Sequence, residues 1–294
     1  MSEHFPKPEP SRVQKRILDL FDELSPKQHQ LARYFLDHED VVAFASAHVI
    51  GKETDVSAAT VVRFAQALGY GGYTELQDEI RSTFPQYHTA LQKIEQHLLD
   101  ASLVNNIPTD IAEVNIRNIE QTLQDISLDT LKQAADAIIG ANRIRIFGGG
   151  LSSAAVVMAE HSLKMLGFRV RAIVNGGLAQ TLELAALDAE DIVIVISIWR
   201  YLKASIAVAE YARDAGVKII ALTDSLVSPI ARLSDFVFVA TMERAAHNRS
   251  LTGLFSLIDL INATIVAERP QESLQALQRI DDLYHQQGDF AEGR

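Results

Sequence analysis

The chain has 294 residues, 48% of them hydrophobic and 22% charged, with a formal net charge of −11 and no cysteine. That length holds one large domain or two ordinary ones, and that balance belongs to a globular rather than a disordered chain. The absence of cysteine excludes disulfides, thiolate zinc sites and cysteine nucleophiles, and the negative charge is a poor field for a polyanion, so any DNA-binding reading needs a local basic surface. No apolar run is long enough to span a bilayer, and the opening MSEHFPKPEP lacks the apolar core of a secretory signal. A cytoplasmic location without a membrane partner is expected.

Up to about residue 140 the pattern is helical throughout. Val13, Ile17, Leu20, Phe21 and Leu24 recur at helical spacing and predict one amphipathic helix. A second opens at Ser25-Pro26-Lys27-Gln28, where Ser25 is a good N-cap, Pro26 suits the first helical position and Gln28 completes a capping box. Leu31, Tyr34 and Phe35 give it an apolar face. The segment Ser46 to Tyr73 then predicts a short helix over Ala47–Lys52, a tight turn, and a longer helix over Ser57–Leu68. Ser57 can cap the longer helix, and Gly69 suits a left-handed stop. The spacing fits a helix-turn-helix: Gly51 is small where two helices would cross, Asp55 tolerates left-handed geometry in the turn, and Val61 and Phe64 fall on an inner face. Ser57, Ala58, Thr60 and Arg63 would then face outward toward base edges in a major groove, with Lys52 near phosphate. The alternative is an ordinary pair of packed helices.

Charge is the main opponent of the DNA reading, since residues 1–85 carry nine Lys and Arg against thirteen Asp and Glu. Within residues 7–16, however, Lys7, Arg12, Lys15 and Arg16 face Glu9 alone. This stretch is either a basic arm for phosphates or a minor groove, or a solvated terminus. Residues 82–108, with Pro85, Pro108 and a helical stretch around Leu91–Leu99, read as a connector.

From Arg143 onward strands alternate with helices. The strands are expected at Arg143–Phe147, Arg169–Val174, Ile192–Ile196, Val217–Leu222 and Phe236–Ala240. Such alternation implies a parallel sheet with helices on both faces and a site at the strand C-termini. The first strand runs into IFGGGLSSAAV, where glycines allow close approach and the following helix offers free N–H groups. Ser152 and Ser153 add hydroxyls, making a plausible phosphate cradle. A dinucleotide site is not expected, because Ser153 stands where a third glycine belongs and the second strand ends in Asn175-Gly176-Gly177 rather than an acid. A Walker loop is excluded, since no Gly-Lys-Ser/Thr follows. After the fourth strand come Thr223-Asp224-Ser225 and Ser228-Pro229. Ser225 reads equally as a ligand or a turn residue, and Ser228 as a helix cap with Pro229 at the first position. The nine histidines show no metal-site pairing. Glu160 and His161, being adjacent, cannot share a face. His247, near Arg244 and Arg249, suggests a surface turn. No metal, cofactor or catalytic set is expected.

Both halves together resemble the RpiR family of bacterial transcription regulators, which join an N-terminal helix-turn-helix to a C-terminal SIS (sugar isomerase) domain. The marks are VSAATVVRFAQALGYGGYTELQ, IFGGGLSSAAVVMAEHSLKMLG and TDSLVSPIARLSDFVFVA. The resemblance implies an all-α helix-turn-helix domain at residues 1–81, a linker at 82–108, an α/β three-layer SIS domain with a five-stranded parallel sheet at 109–286, and a tail at 287–294. It implies a non-enzymatic regulator of catabolic genes, binding double-stranded DNA at a palindromic operator as a homodimer or homotetramer. The effector would be a small anionic metabolite such as a sugar phosphate or sugar acid. Gly148, Gly150, Ser152 and Ser153 match the family's first ligand loop. The second loop pattern, Ser-x-Ser-Gly-x-Thr, keeps only Ser197; Trp199, Arg200 and Leu202 replace the second serine, the glycine and the threonine. Three readings of that departure stand side by side. Arg200 and Lys203 could neutralise an anion; Trp199 and Tyr201 could stack on a ring; or the bulky side chains could fill the pocket. With Ser225, these residues complete the expected effector set. A sugar-phosphate isomerase, and a regulator whose SIS domain serves only oligomerisation, are the alternatives.

Overall fold

A computed structural model describes residues 11–82, 107–124, 126–174, 176–244 and 248–287. The chain divides into two compact units, Met1–Glu95 and Gln96–Arg294. The helix expected over Leu91–Leu99 lies outside the described residues. Among those described, no helix is long and apolar enough to cross a membrane.

The first unit is helical: α1 (Arg12–Asp19), α2 (Pro26–Asp37), α3 (Glu39–Val42), α4 (Ala47–Glu53), α5 (Ala58–Ala67) and α6 (Tyr73–Ser82). Ser11 and Gln14 form a capping box on α1, and Gln28 Oε1 accepts the Ser25 N–H at 2.9 Å at the start of α2. The first helix is shorter than its hydrophobic spacing predicts. It ends at Asp19, and a 3₁₀ turn over Phe21–Glu23 carries the chain on; the tighter turn still brings Leu24 into the core. Val13, Ile17, Leu31, Phe35, Ile50, Phe64, Leu76 and Ile80 are buried together, with Phe35 and Phe64 edge to face at 5.1 Å. Tyr73 and Gln77 of α6 both donate to the Val42 and Ala45 carbonyls, at 2.8–3.1 Å. Those bonds satisfy a helix end that would otherwise be buried without partners.

The second unit contains α7 (Ile107–Gln124), α8 (Leu128–Gly140), β1 (Ile144–Phe147), α9 (Ser153–Met165), β2 (Val170–Ile173), α10 (Leu178–Ala185), β3 (Ile192–Ile196), α11 (Lys203–Asp214), β4 (Lys218–Thr223), β5 (Phe236–Val239), α12 (Thr252–Glu268) and α13 (Pro270–Gln287). All five strands are parallel, in the order β2-β1-β3-β4-β5. Each lies within a residue or so of its expected span. Alternate side chains feed two cores. Ile144, Ile146, Ile192 and Ile194 pack with α8, α9 and α12 on one face; Phe147, Val193, Val195 and Ile219 pack with α11 on the other. The chain runs outward from β1 to β2 and returns to β3, so its winding reverses between β1 and β3. Loops leaving those two strands diverge there and open a crevice.

Candidate functional site

In the first unit, α4 and α5 are set by three backbone requirements. A Cβ on Gly51 would lie 2.6 Å from the Val56 carbonyl oxygen, so α4 can approach the start of α5 only through glycine. Asp55 turns the chain at φ 49°, and Gly69 ends α5 at φ 86°. The Ser57 hydroxyl accepts the Thr60 N–H at 3.2 Å and bonds the Thr60 hydroxyl at 2.9 Å, and Arg63 reaches that same hydroxyl at 3.4 Å. Val61, Phe64 and Ala65 are fully buried. Ser57, Arg63 and Lys52 are exposed, while Ala58 and Thr60 are half-buried. Ala59 and Gln66, not singled out from sequence, are also exposed on α5; Gln66 was legible as the next turn of the Arg63 row. The described part of the basic stretch is no free arm. Arg12 and Arg16 sit in α1, the first paired with Glu79 at 3.6 Å. Arg16 donates to the Leu68 carbonyl at 3.2 Å and lies 4.7 Å over the Tyr70 ring.

In the second unit a cavity of about 160 Å³ occupies the β1/β3 crevice, lined by Gly148–Gly150, Val174, Gly176, Gln180, Leu202 and Ser205 among others. A Cβ on Gly148 would meet the Ile196 carbonyl oxygen at 2.6 Å, so glycine alone lets the first loop pass β3 this closely. Gly150 adopts φ 61°. Of the expected effector set, Gly148 and Gly150 line the cavity. Ser152 and Ser197 are buried beside it in the chain but not on its wall, and Ser153 and Ser225 are half-buried. The Ser225 hydroxyl accepts the Val227 N–H at 3.3 Å. Arg200 and Lys203 are exposed and do not line the cavity.

Leu202 does. A Cβ on Gly149 would lie only 2.7 Å from its Cδ1, so the leucine overhangs the glycine loop. Opposite, α10 has no fully buried residue; Glu183 holds it to the sheet by ion pairs to Arg145 at 2.7 Å and Arg171 at 2.9 Å. From that helix Gln180 reaches the Ala204 carbonyl at 3.3 Å.

The loop over Trp199–Leu202 is pinned from below by Asp224, whose carboxylate accepts the Trp199 N–H at 3.2 Å and the Tyr201 hydroxyl at 2.9 Å and pairs with Arg249 at 3.1 Å. Both side chains of that ion pair are 3% exposed. Burial pushes the Asp224 carboxyl up, and the Arg249 guanidinium, the Tyr201 hydroxyl and the Trp199 N–H pull against it. Arg249 therefore corrects the expectation of a surface turn around it, because Asp224 draws it inside; His247 lies outside the described residues. Ser228 differs as well. Its hydroxyl is buried without a hydrogen-bond partner among the described residues, and the short helix beyond it starts at Ala231 rather than at Pro229. Among the described residues no group of three or more His, Asp or Glu could hold a metal ion.

Comparison with known proteins agrees with both halves. Residues 12–86 match the helix-turn-helix domain of the rpiR family, and residues 137–267 match the SIS domain. An HTH-type transcriptional regulator of Haemophilus influenzae is 26% identical over 275 residues, covering 91% of this chain and 94% of its own. The sugar isomerase domain of the RpiR transcription factor from Sphaerobacter thermophilus is 35% identical, with a TM-score of 0.58 over 60% of this chain and 98% of that one. NanR of Vibrio vulnificus, solved in complex with ManNAc-6P, shares the fold at 19% identity, with a TM-score of 0.68 over 96% of this chain and all of its own. HTH-type transcriptional regulators of Clostridium perfringens and Caldanaerobacter subterraneus also align along 83% and 91% of this chain, which does not favour the isomerase alternative. With a helix-turn-helix and a SIS domain in this order, the chain belongs to the RpiR family of DNA-binding transcription regulators.

Proposed function

We propose that this regulator's grip on DNA is set by a small anionic sugar derivative, a sugar phosphate or sugar acid, seated against Gly148–Gly150. The observation that carries this reading is the glycine loop at the β1/β3 switch point, running straight into the N-terminus of α9. Glycine brings backbone N–H groups within reach of an anion, and the helix end adds a favourable dipole. The relative from Vibrio vulnificus is complexed with a phosphorylated amino sugar, which supports this ligand class. Ser152, Ser153, Ser197 and Ser225 supply hydroxyls around the crevice, with Arg200 and Lys203 as cations on its rim. On the other unit, Ser57, Ala58, Thr60 and Arg63 approach base edges and Lys52 a phosphate. Copies associate through the sheet unit, so that paired α5 helices read a palindromic operator in carbohydrate-catabolic genes.

At about 160 Å³ the cavity is smaller than the roughly 300–1,000 Å³ of ordinary ligand pockets. It accommodates a phosphate group, and a whole hexose phosphate enters only when Leu202 withdraws. The intrusion of Leu202 also favours a second reading, a SIS unit that serves only oligomerisation. A thermal-shift screen of the full chain with phosphorylated sugars, sugar acids and amino sugars separates the two. A true effector raises the melting temperature with concentration, by about 2.7 kcal/mol of added stability at a hundredfold its Kd, and changes operator affinity in a gel shift. A screen in which no compound moves the melting temperature supports the second reading.

A further inference from the structure

Hydrogen bonds and one ion pair, linked by single steps along the backbone, connect the cavity loop to α7, the first described helix of the second unit. The path starts at Trp199 and Tyr201, both bonded to Asp224, and passes through the Asp224–Arg249 pair. The next residue, Ser250, donates its hydroxyl to Asn115 Oδ1 of α7 at 2.6 Å. One turn further along α7, Asn118 clasps the backbone of Glu243 from both sides. Its Nδ2 donates to the carbonyl at 3.0 Å and its Oδ1 accepts the N–H at 2.8 Å. Thr122 then accepts the Thr241 N–H at 2.9 Å. Asn118 and Thr122 are 0% and 2% exposed. There is no slack at the far end: a Cβ on Gly253 would lie 2.5 Å from both the Thr122 hydroxyl and the Thr241 carbonyl oxygen. Residues on both sides of the Asp224–Arg249 pair are thus fastened, one side to the cavity loop and the other to α7. In sequence, α7 follows directly on residues 83–106, which lead from the helix-turn-helix unit.

A buried ion pair is a poor way to stabilise a fold, because apolar side chains of similar volume do as well or better. Its value lies in fixing the groups around it. We infer that Asp224 and Arg249 are positioning residues that relay displacement of the Trp199–Leu202 loop to α7, and along the chain toward the DNA-binding unit. That an effector supplies the displacement rests on the cavity reading above; the relay itself does not. Leu202 must move for a hexose phosphate to enter, and it shares its loop with both donors to Asp224. Entry therefore pulls on Asp224, and Asp224 on Arg249.

Contact is not coupling, and a double-mutant cycle measures the difference. Tyr201→Phe removes one donor to Asp224 and keeps the ring. Hydrogen–deuterium exchange on the full chain, without metabolite or DNA, is expected to rise about three- to tenfold in 199–205, in 248–252 and in 107–118. Added to Asn115→Ala, the same substitution is expected to raise 199–205 again while changing 107–118 no further. A rise confined to 199–205 overturns the relay, since the pair then only pins the loop. A rise spread evenly over the sheet and α12 also overturns it, because that marks a general loss of stability. Neither ligand nor operator enters this experiment, so a failed relay leaves the effector reading standing, and an empty metabolite screen leaves the exchange result intact.

Discussion

Arg63 is the single cation within α5, and its guanidinium is already held 3.4 Å from the Thr60 hydroxyl on the exposed face. A single arginine on the exposed face of a reading helix can carry base discrimination through a bidentate contact to a guanine edge. Arg63→Ala is expected to weaken specific operator binding by about 1–3 kcal/mol in a gel-shift titration at fixed salt. Because the side chain is exposed, the helical circular dichroism should stay as it is. Unchanged affinity would remove Arg63 from the reading face. The neighbouring Gly51, Asp55 and Gly69 were readable from the sequence for a physical reason. A close crossing and two left-handed turns each admit very few residue types, so the residue announces the geometry. Ser57 was readable as a cap on the same ground, because a short hydroxyl before a helix has a backbone N–H to satisfy.

The strands were legible as elements because a sheet covered on both faces requires continuous apolar runs, and IVIVI at β3 is buried at every position. The cavity walls were not. Asp224 and Arg249 are 25 residues apart, with β5 between them, and nothing local marks either as buried. Leu202 was visible as a departure, but its overhang depends on where α11 starts relative to Gly149. Asn118 and Thr122 look like the wet side of α7 and turn out to be its most buried polar positions. The same limit applies at the outer edge of the sheet, where β2 has a strand partner on one side only. There Glu160 of α9 accepts the Ala172 N–H at 2.8 Å and pairs with Lys164 at 2.9 Å, which covers an otherwise open backbone donor. Burial pushes the Glu160 carboxyl up, but the Lys164 and Ala172 hydrogen bonds outweigh it and hold the group below the ordinary carboxylate range. A depressed value in the fold means stability that is present above the unfolded pKa of about 4.3 and lost as pH falls through the folded value. Glu160→Gln is therefore expected to destabilise the second unit by about 0.5–1.5 kcal/mol at pH 7. The difference should begin to shrink below the unfolded value of about 4.3 and vanish once the pH is below the depressed folded value, read as the urea midpoint at each pH. A penalty that persists unchanged in acid would show that shape, not charge, matters at that position.

At the scale of the molecule, the puzzle is how a chain of net charge −11 holds a polyanion. In the first unit several cations already have partners on the same unit: Arg12, itself exposed, pairs with Glu79; Arg16 bonds the Leu68 carbonyl and lies over the Tyr70 ring; and Arg81 bonds Asp78 and the Ala43 carbonyl. Lys52 and Arg63 are the cations that the helix-turn-helix itself presents. Each phosphate neutralised contributes about −0.9 to the slope of log K against log salt. One or two per copy, in the proposed pair on a palindrome, give a slope between about −2 and −4. Raising the salt from about 50 to 200 mM should then cost roughly 10- to 300-fold in affinity. A single half-site should bind far more weakly than the full palindrome, because so few charges per copy cannot hold one copy alone. Both are read by fluorescence anisotropy with labelled operator over a salt series. A slope clearly steeper than about −4 would mean that cations beyond Lys52 and Arg63 grip the backbone. Lys7 and Lys15 would be the first to replace with glutamine, since they share the basic stretch at residues 7–16 and its two arginines are already engaged in the fold.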